Sequence, residues 1–288
     1  VMGQEEVLWT VVDITERVEA QNRIEELASK LSKYLSPQVY RSIFSGQKNV
    51  QIEANRKKLT VFFSDIKDFT ELTDRLEPEV LSSLLNSYLN EMSKIALKYG
   101  GTIDKFVGDA ILIFFGDPET NGEKADATSC VLMALEMRER MKFMRQIWED
   151  EGISKPLNIR IGINTGYCNV GNFGSEDRLD YTIIGGEVNL ASRLESNASV
   201  GQILVSHETY SLIKNSITCE EREEINVKGL AHKVRTYQVI DKKEKNEKGV
   251  TKLKDNYEGF SLSIDLDVSR KAEVIASLKN ALAKIQKN

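Results

Sequence analysis

The apolar run Phe62-Phe63-Ser64 ends in Asp65 and Ile66, and Lys67-Asp68-Phe69-Thr70 lead on towards a helix. A carboxylate at the carboxyl end of a strand stands where open sheets bind ligands. The backbone amides that follow it, those of Phe69 and Thr70 among them, could cradle phosphate oxygens. A second carboxylate, Asp109, sits with Gly108 at the turn of a hairpin in Gly100-Gly101-Thr102-Ile103-Asp104-Lys105-Phe106-Val107-Gly108-Asp109-Ala110. Alone, such a turn is more often just a hairpin tip. Paired with Asp65 it means more, because two carboxylates at two strand ends can bridge two Mg²⁺ or Mn²⁺ ions about 3.5–4 Å apart. That arrangement activates an attacking oxygen and neutralises a leaving one in phosphoryl transfer.

A third group, Gly185-Gly186-Glu187-Val188-Asn189-Leu190-Ala191-Ser192-Arg193-Leu194-Glu195, reads as a turn and a helix. Asn189 and Arg193 are four apart and share a face. A neutral amide and a guanidinium fork then point into one space, and the fork suits phosphate oxygens. By itself the pair reads more readily as an ordinary helix surface. The two histidines, His207 and His232, fall outside all three groups, so nothing here asks for an imidazole base. Cys130, Cys168 and Cys219 are far apart, form no CxxC pair and make an odd count, which argues for a reducing compartment and against a disulfide framework.

The elements that must position these groups follow from periodicity. The sequence predicts strand Leu59–Ser64, helix Pro78–Tyr99, a hairpin over Thr102–Phe115, helix Ala125–Trp148, and strands Asn158–Ile163, Tyr167–Phe173 and Leu179–Ile184. Helix Glu187–Asn197, strand Gln202–Ser206, a short helix near Glu208–Ile213 and a final pair over Glu224–Val227 and Val234–Ile240 complete the set. Mixed strands with long crossover helices imply an α/β class, an α+β sandwich whose mostly antiparallel sheet is covered by helices. The 288 residues, 41% apolar, suffice for one substantial core plus smaller pieces. With a net charge of −5 and acidic and basic residues interspersed, the chain has no electrostatic footprint for nucleic acid. No apolar run approaches the roughly 18 residues a membrane span needs.

The strings FSDIKDFTEL, GGTIDKFVGDAILIFFG, NIRIGINTGYCNVGNFGSEDRLDYTIIGGEVNLASRLE and NVKG, in this order and with no block missing, resemble the catalytic domain of class III adenylyl and guanylyl cyclases. The likeness runs from about Lys58 to Asp241 and implies that family's ferredoxin-like fold. It implies that Asp65, Asp109 and the Ile66 carbonyl hold two Mg²⁺ or Mn²⁺ ions, and that Lys105 and Thr182 read the purine. Lysine can donate to a ring nitrogen of adenine, and a threonine hydroxyl can accept from the exocyclic amine. Guanylyl cyclases resemble one another in an acid and a small polar residue there, so adenine is favoured, as in the bacterial branch with threonine. The resemblance further gives Asn189 the ribose, Arg193 the charge on the α-phosphate, and Lys228 and Arg160 the terminal phosphates. It implies an adenylate cyclase forming cyclic AMP from ATP, with each site shared across a homodimer. A guanylate cyclase, or a module that binds nucleotide without turning it over, stays open as an alternative. A diguanylate cyclase is disfavoured, since no GGDEF-type turn replaces Phe106-Val107-Gly108-Asp109.

Upstream, Val7–Val12 reads as a strand that runs through Asp13 into a charged helix, which resembles the end of a PAS sensor domain entering a signalling helix. Ile24, Leu27, Leu31 and Tyr34 lie three and four apart, the seam of a short two-stranded coiled coil. The expected division is 1–13 for the sensor end, 14–57 for the signalling helix and its connection, 58–241 for the catalytic domain, and 242–288 for a charged linker with a strand and helix. Beginning on a valine within strand-like sequence, the chain reads as a fragment of a longer protein, cytoplasmic in this portion, with a sensor upstream and no membrane contact of its own.

Overall fold

The computed structural model describes residues 13–44, 52–153, 157–175, 177–227, 233–243, 252–257, 260–265, 275–279 and 282. Two units separate at Lys242 and Lys243. The first carries helices α1 (Thr15–Leu31), α2 (Pro37–Phe44), α3 (Phe69–Thr73), α4 (Pro78–Lys98), α5 (Glu123–Asp150), α6 (Gly186–Asn197) and α7 (His207–Ile213). Its strands are β1 (Ala54–Ile66), β2 (Thr102–Val107), β3 (Ala110–Phe115), β4 (Ile159–Gly174), β5 (Leu179–Ile184), β6 (Ile203–Ser206), β7 (Ile217–Ile225) and β8 (Val234–Lys242). They form one open sheet in the order β2-β3-β1-β4-β6-β8-β7, with β5 paired to β4. Only β4 and β6 run parallel among the described pairs, so the sheet is mostly antiparallel, as the sequence predicts.

The centre of this sheet is buried on both faces, which is why β3 reads Ala-Ile-Leu-Ile-Phe-Phe without a polar residue. Ile111, Ile113 and Phe115 join Phe62, Ile161 and Ile163 in a core covered by Tyr88 and Met92 of α4 and by Met133 and Met137 of α5. The alternate residues Leu112 and Phe114 join Leu59 and Val61 in a second core, against Ala191 of α6. The approach of α6 depends on Gly162 of β4, where a Cβ atom would lie 2.2 Å from both the Ala191 carbonyl oxygen and the Glu195 nitrogen. Backbone therefore packs on backbone there, and α6 is held close to the sheet. At the other end, α2 is tied to β2: the Gln38 side chain donates to the buried Gly101 carbonyl at 2.9 Å.

Several boundaries differ from expectation. β1 begins at Ala54, ahead of Lys58, because its polar first half Asn55–Lys58 still pairs with β4. The two strands expected over Asn158–Phe173 are one 16-residue strand. Asn164-Thr165-Gly166 looks like a turn, yet Asn164 and Thr165 are buried, and Thr165 shares hydroxyl hydrogen bonds of 3.0 Å with Thr60 and with Thr209. β7 starts at Ile217, well before Glu224; its run of glutamates is the charged edge of the sheet. α1 forms where the seam was expected, with Ile24 and Leu27 exposed on a single chain. The strand Val7–Val12 lies outside the described residues. In the second unit β10 (Phe260–Asp265) forms as expected and pairs antiparallel with β9 (Lys252–Tyr257), a strand the charged sequence conceals. A helical turn follows at 275–279.

Candidate active site

β1 lies between β3 and β4, so its last two residues, Asp65 and Ile66, emerge beside the β2–β3 turn. That turn is the two-residue connection Gly108-Asp109, with Gly108 at φ +65°, a conformation that costs glycine little. It aims Asp109 back at β1, where one carboxylate oxygen accepts the Ile66 amide hydrogen at 3.0 Å. Burial pushes the Asp109 carboxyl up to about 6, and the hydrogen bond with Asp65 and its charge push the same way. No three or more histidine, cysteine or acidic side chains are grouped so as to hold a metal ion by themselves among the described residues. Two carboxylates and a main-chain carbonyl nevertheless suit Mg²⁺, which keeps waters and takes substrate oxygens for the rest of its shell. The donor set therefore fits the expected metal.

Arg160 pairs with Asp65 in the β1–β4 ladder. Its guanidinium lies 3.6 Å from Asp65 and 2.8 Å from Glu195 of α6. Glu195 is buried, which raises its carboxyl from the ordinary range against the pull of Arg160. Arg160 thus links the end of β1 to α6. Along α6, Leu190, Ala191, Leu194 and Glu195 face the sheet, and Asn189 and Arg193 lie on the exposed side. The shared face expected for this pair is present.

Lys105 and Thr182 come together through a residue the sequence reading passed over. The pairing of β2 with β3 skips Asp104, a bulge between Ile103 and Lys105. In a regular strand neighbours point to opposite faces, and a bulge re-aims them. The Thr182 hydroxyl of β5 donates to Asp104 Oδ2 at 2.7 Å, and the Lys105 amine lies 3.6 Å from Asp104 Oδ1. Burial raises the Asp104 carboxyl from its usual range, while the Thr182 hydroxyl works the other way. The only hint in the sequence is an acid in the middle of a hairpin strand.

Phe69 and Thr70 open the short α3, three residues past Ile66, after Asp68 at φ +59°. Phe69 packs against the larger core and Thr70 is exposed. Lys228 and His232 lie outside the described residues.

The family model described as the adenylate and guanylate cyclase catalytic domain matches residues 51–241. The chain belongs to this family. Among solved structures, this cyclase domain is 65% identical to the adenylyl cyclase CyaB from P. aeruginosa, covering 66% of this chain and 97% of that one, with a TM-score of 0.65. It is 32% identical to the guanylate cyclase domain of RhGC from Catenaria anguillulae in complex with GTP, covering 66% of this chain and all of that one, with a TM-score of 0.60. The terminal-differentiation-specific adenylate cyclase of Dictyostelium discoideum is 35% identical over 243 residues, 82% of this chain and 11% of that protein. The chain thus spans a minor part of that curated relative. The matched region contains every element described above from β1 to β7 and all of β8 but its last residue. No helix among the described residues is long and apolar enough to cross a membrane.

Proposed function

We propose that this cyclase domain converts ATP to 3′,5′-cyclic AMP and pyrophosphate, with two divalent cations, at sites shared between two copies of the chain. The observation that carries the reading is Asp109 reaching from the β2–β3 turn to accept the Ile66 amide hydrogen, which sets the carboxylates of Asp65 and Asp109 at adjoining strand ends. Asp65, Asp109 and the Ile66 carbonyl would hold the two cations. Bound there, the cations would lower the pKa of the attacking hydroxyl and neutralise the triphosphate.

In the reaction the ribose 3′-oxygen bonds to the α-phosphorus as its proton leaves, and the bond from that phosphorus to the pyrophosphate oxygen breaks. Asn189 orients the ribose, and the Arg193 fork takes up the charge that grows on the α-phosphoryl oxygens. Fixed donors aimed at developing charge act most strongly in the transition state. Lys105 donates to a ring nitrogen of adenine, and Thr182 accepts from its exocyclic amine. Lys228, Arg160 and the amides of Phe69 and Thr70 hold the remaining phosphates. The adenine assignment is supported by the 65% identity to an adenylyl cyclase, whereas guanylate cyclases stand near 32%.

The test is product identity. Incubated separately with ATP and GTP in the presence of Mn²⁺, the chain should form cyclic AMP in clear excess over cyclic GTP-derived product. Equal or greater cyclic GMP formation would make it a guanylate cyclase, and absence of both products would make it a binding module.

A further inference from the structure

The hydroxyl of Thr182 has one proton to give, and the structure shows where it goes. Asp104 Oδ2 receives it at 2.7 Å and also receives the Ile183 amide hydrogen at 3.4 Å. A backbone amide can only donate, so Oδ2 is an acceptor, and the proton between it and Thr182 is the threonine's own. The Asp104 side chain is 1% exposed, and Thr182 as a whole is 6% exposed, so solvent offers little competition for that bond. Beside them Lys105 is 42% exposed, within reach of a ligand. The bulge in β2 makes this possible, by turning Asp104 towards β5.

We propose that Asp104 is a specificity-determining positioning residue: by taking the Thr182 proton it leaves that hydroxyl able only to accept from the purine, so that position 6 must carry an amine and not a carbonyl. This rests on the reading that Lys105 and Thr182 face the purine. Thr182 supplies the contact, and Asp104 fixes its polarity. A hydroxyl free to turn accepts from an amine or donates to a carbonyl with equal ease. A committed one leaves a 6-oxo purine facing a lone pair. Sites built on buried hydrogen bonds discriminate strongly for this reason, since the wrong partner leaves polar groups unpaired.

The experiment compares kcat/KM for ATP with that for inosine triphosphate, which carries a carbonyl where adenine has its amine. Asp104→Ala removes the acceptor, and the ATP-to-inosine triphosphate ratio should fall about tenfold or more, the change expected from losing one polar discrimination. Asp104→Asn keeps an oxygen where Oδ2 stands, so the ratio should remain within about threefold of the parent, although a charge is gone. Should the alanine variant not fold, Asp104→Leu preserves the branched volume and takes its place. An unchanged ratio in the variant without an acceptor overturns the proposal, as does an asparagine variant that loses as much as the alanine one. Thr182→Val separates the two layers. If it leaves the ratio unchanged, Thr182 does not face the purine and the underlying reading fails. If it lowers the ratio while Asp104→Ala does not, the purine reading stands and Asp104 has no part in it.

Discussion

Arg160 carries two expectations that pull against each other. Resemblance assigns it to the terminal phosphates, and the structure surrounds it with carboxylates, Glu195 at 2.8 Å and Asp65 at 3.6 Å. Glu195 has its side chain buried, so it depends on this guanidinium. Removing one member of a buried ion pair leaves an uncompensated charge and costs about 3–5 kcal/mol. Arg160→Met should therefore lower the urea midpoint strongly, and Arg160→Met combined with Glu195→Gln should recover most of that loss. Urea titrations of the two variants and the parent check it. A single variant as stable as the parent would show that Arg160 acts on ligand alone. The placement of Asp65 and Asp109 at adjoining strand ends, and of Asn189 and Arg193 on one exposed helix face, was legible from the sequence because it follows from strand ends, a hairpin turn and helical spacing. Asp104 and Glu195 were not, since their importance comes from burial and from a bulge, neither of which leaves a mark in residue type.

At the level of elements, helix α6 presents Asn189 and Arg193 and owes its position to Gly162. A Cβ there would meet helix backbone at 2.2 Å, and backbone cannot turn aside as a side chain can. Gly162→Ala should push α6 from the sheet, costing about 1–3 kcal/mol as overpacked cores do. Turnover should fall more steeply than stability, because misplacement of about 1 Å in a positioned group can cost a hundredfold. Thermal melting and kcat measured on one preparation check both; a variant with parental kcat would mean that α6 need not sit so close. The elements themselves were largely foreseen, since apolar periodicity is strong in β3, α4 and α5. The failures share a cause. The early half of β1 and the middle of β4 are strands made of polar residues that pair with each other about 100 residues apart in the chain, and the early part of β7 carries the glutamates of an exposed edge. Local sequence reports side-chain environment, and ladder partners that distant lie beyond its reach.

For the whole molecule, the decisive question is which chain serves which site. Lys105 and Asp109 occupy one hairpin, yet by resemblance they approach the substrate from opposite sides, which a head-to-tail pair of chains would permit. Asp109→Ala and Arg193→Ala, each nearly inactive alone, should recover about a quarter of parental activity when mixed and allowed to exchange. Random exchange makes about half the dimers mixed, and each mixed dimer has one intact site of two. If differently tagged chains co-purify while activity stays at the level of the single variants, the site lies within one chain. The pairing of β1 with β4 also has a consequence in time. Asp65 stands opposite Arg160, and 95 positions separate them in the chain. A ribosome adding about 5–20 residues per second needs roughly 5–20 s to bridge that gap. Throughout that interval β1, its backbone groups on the β4 side unpaired, is a nascent strand awaiting a neighbour not yet synthesised. The end of the sheet that carries Asp65 is thus made early and completed late, and that interval is when the young chain most needs a chaperone.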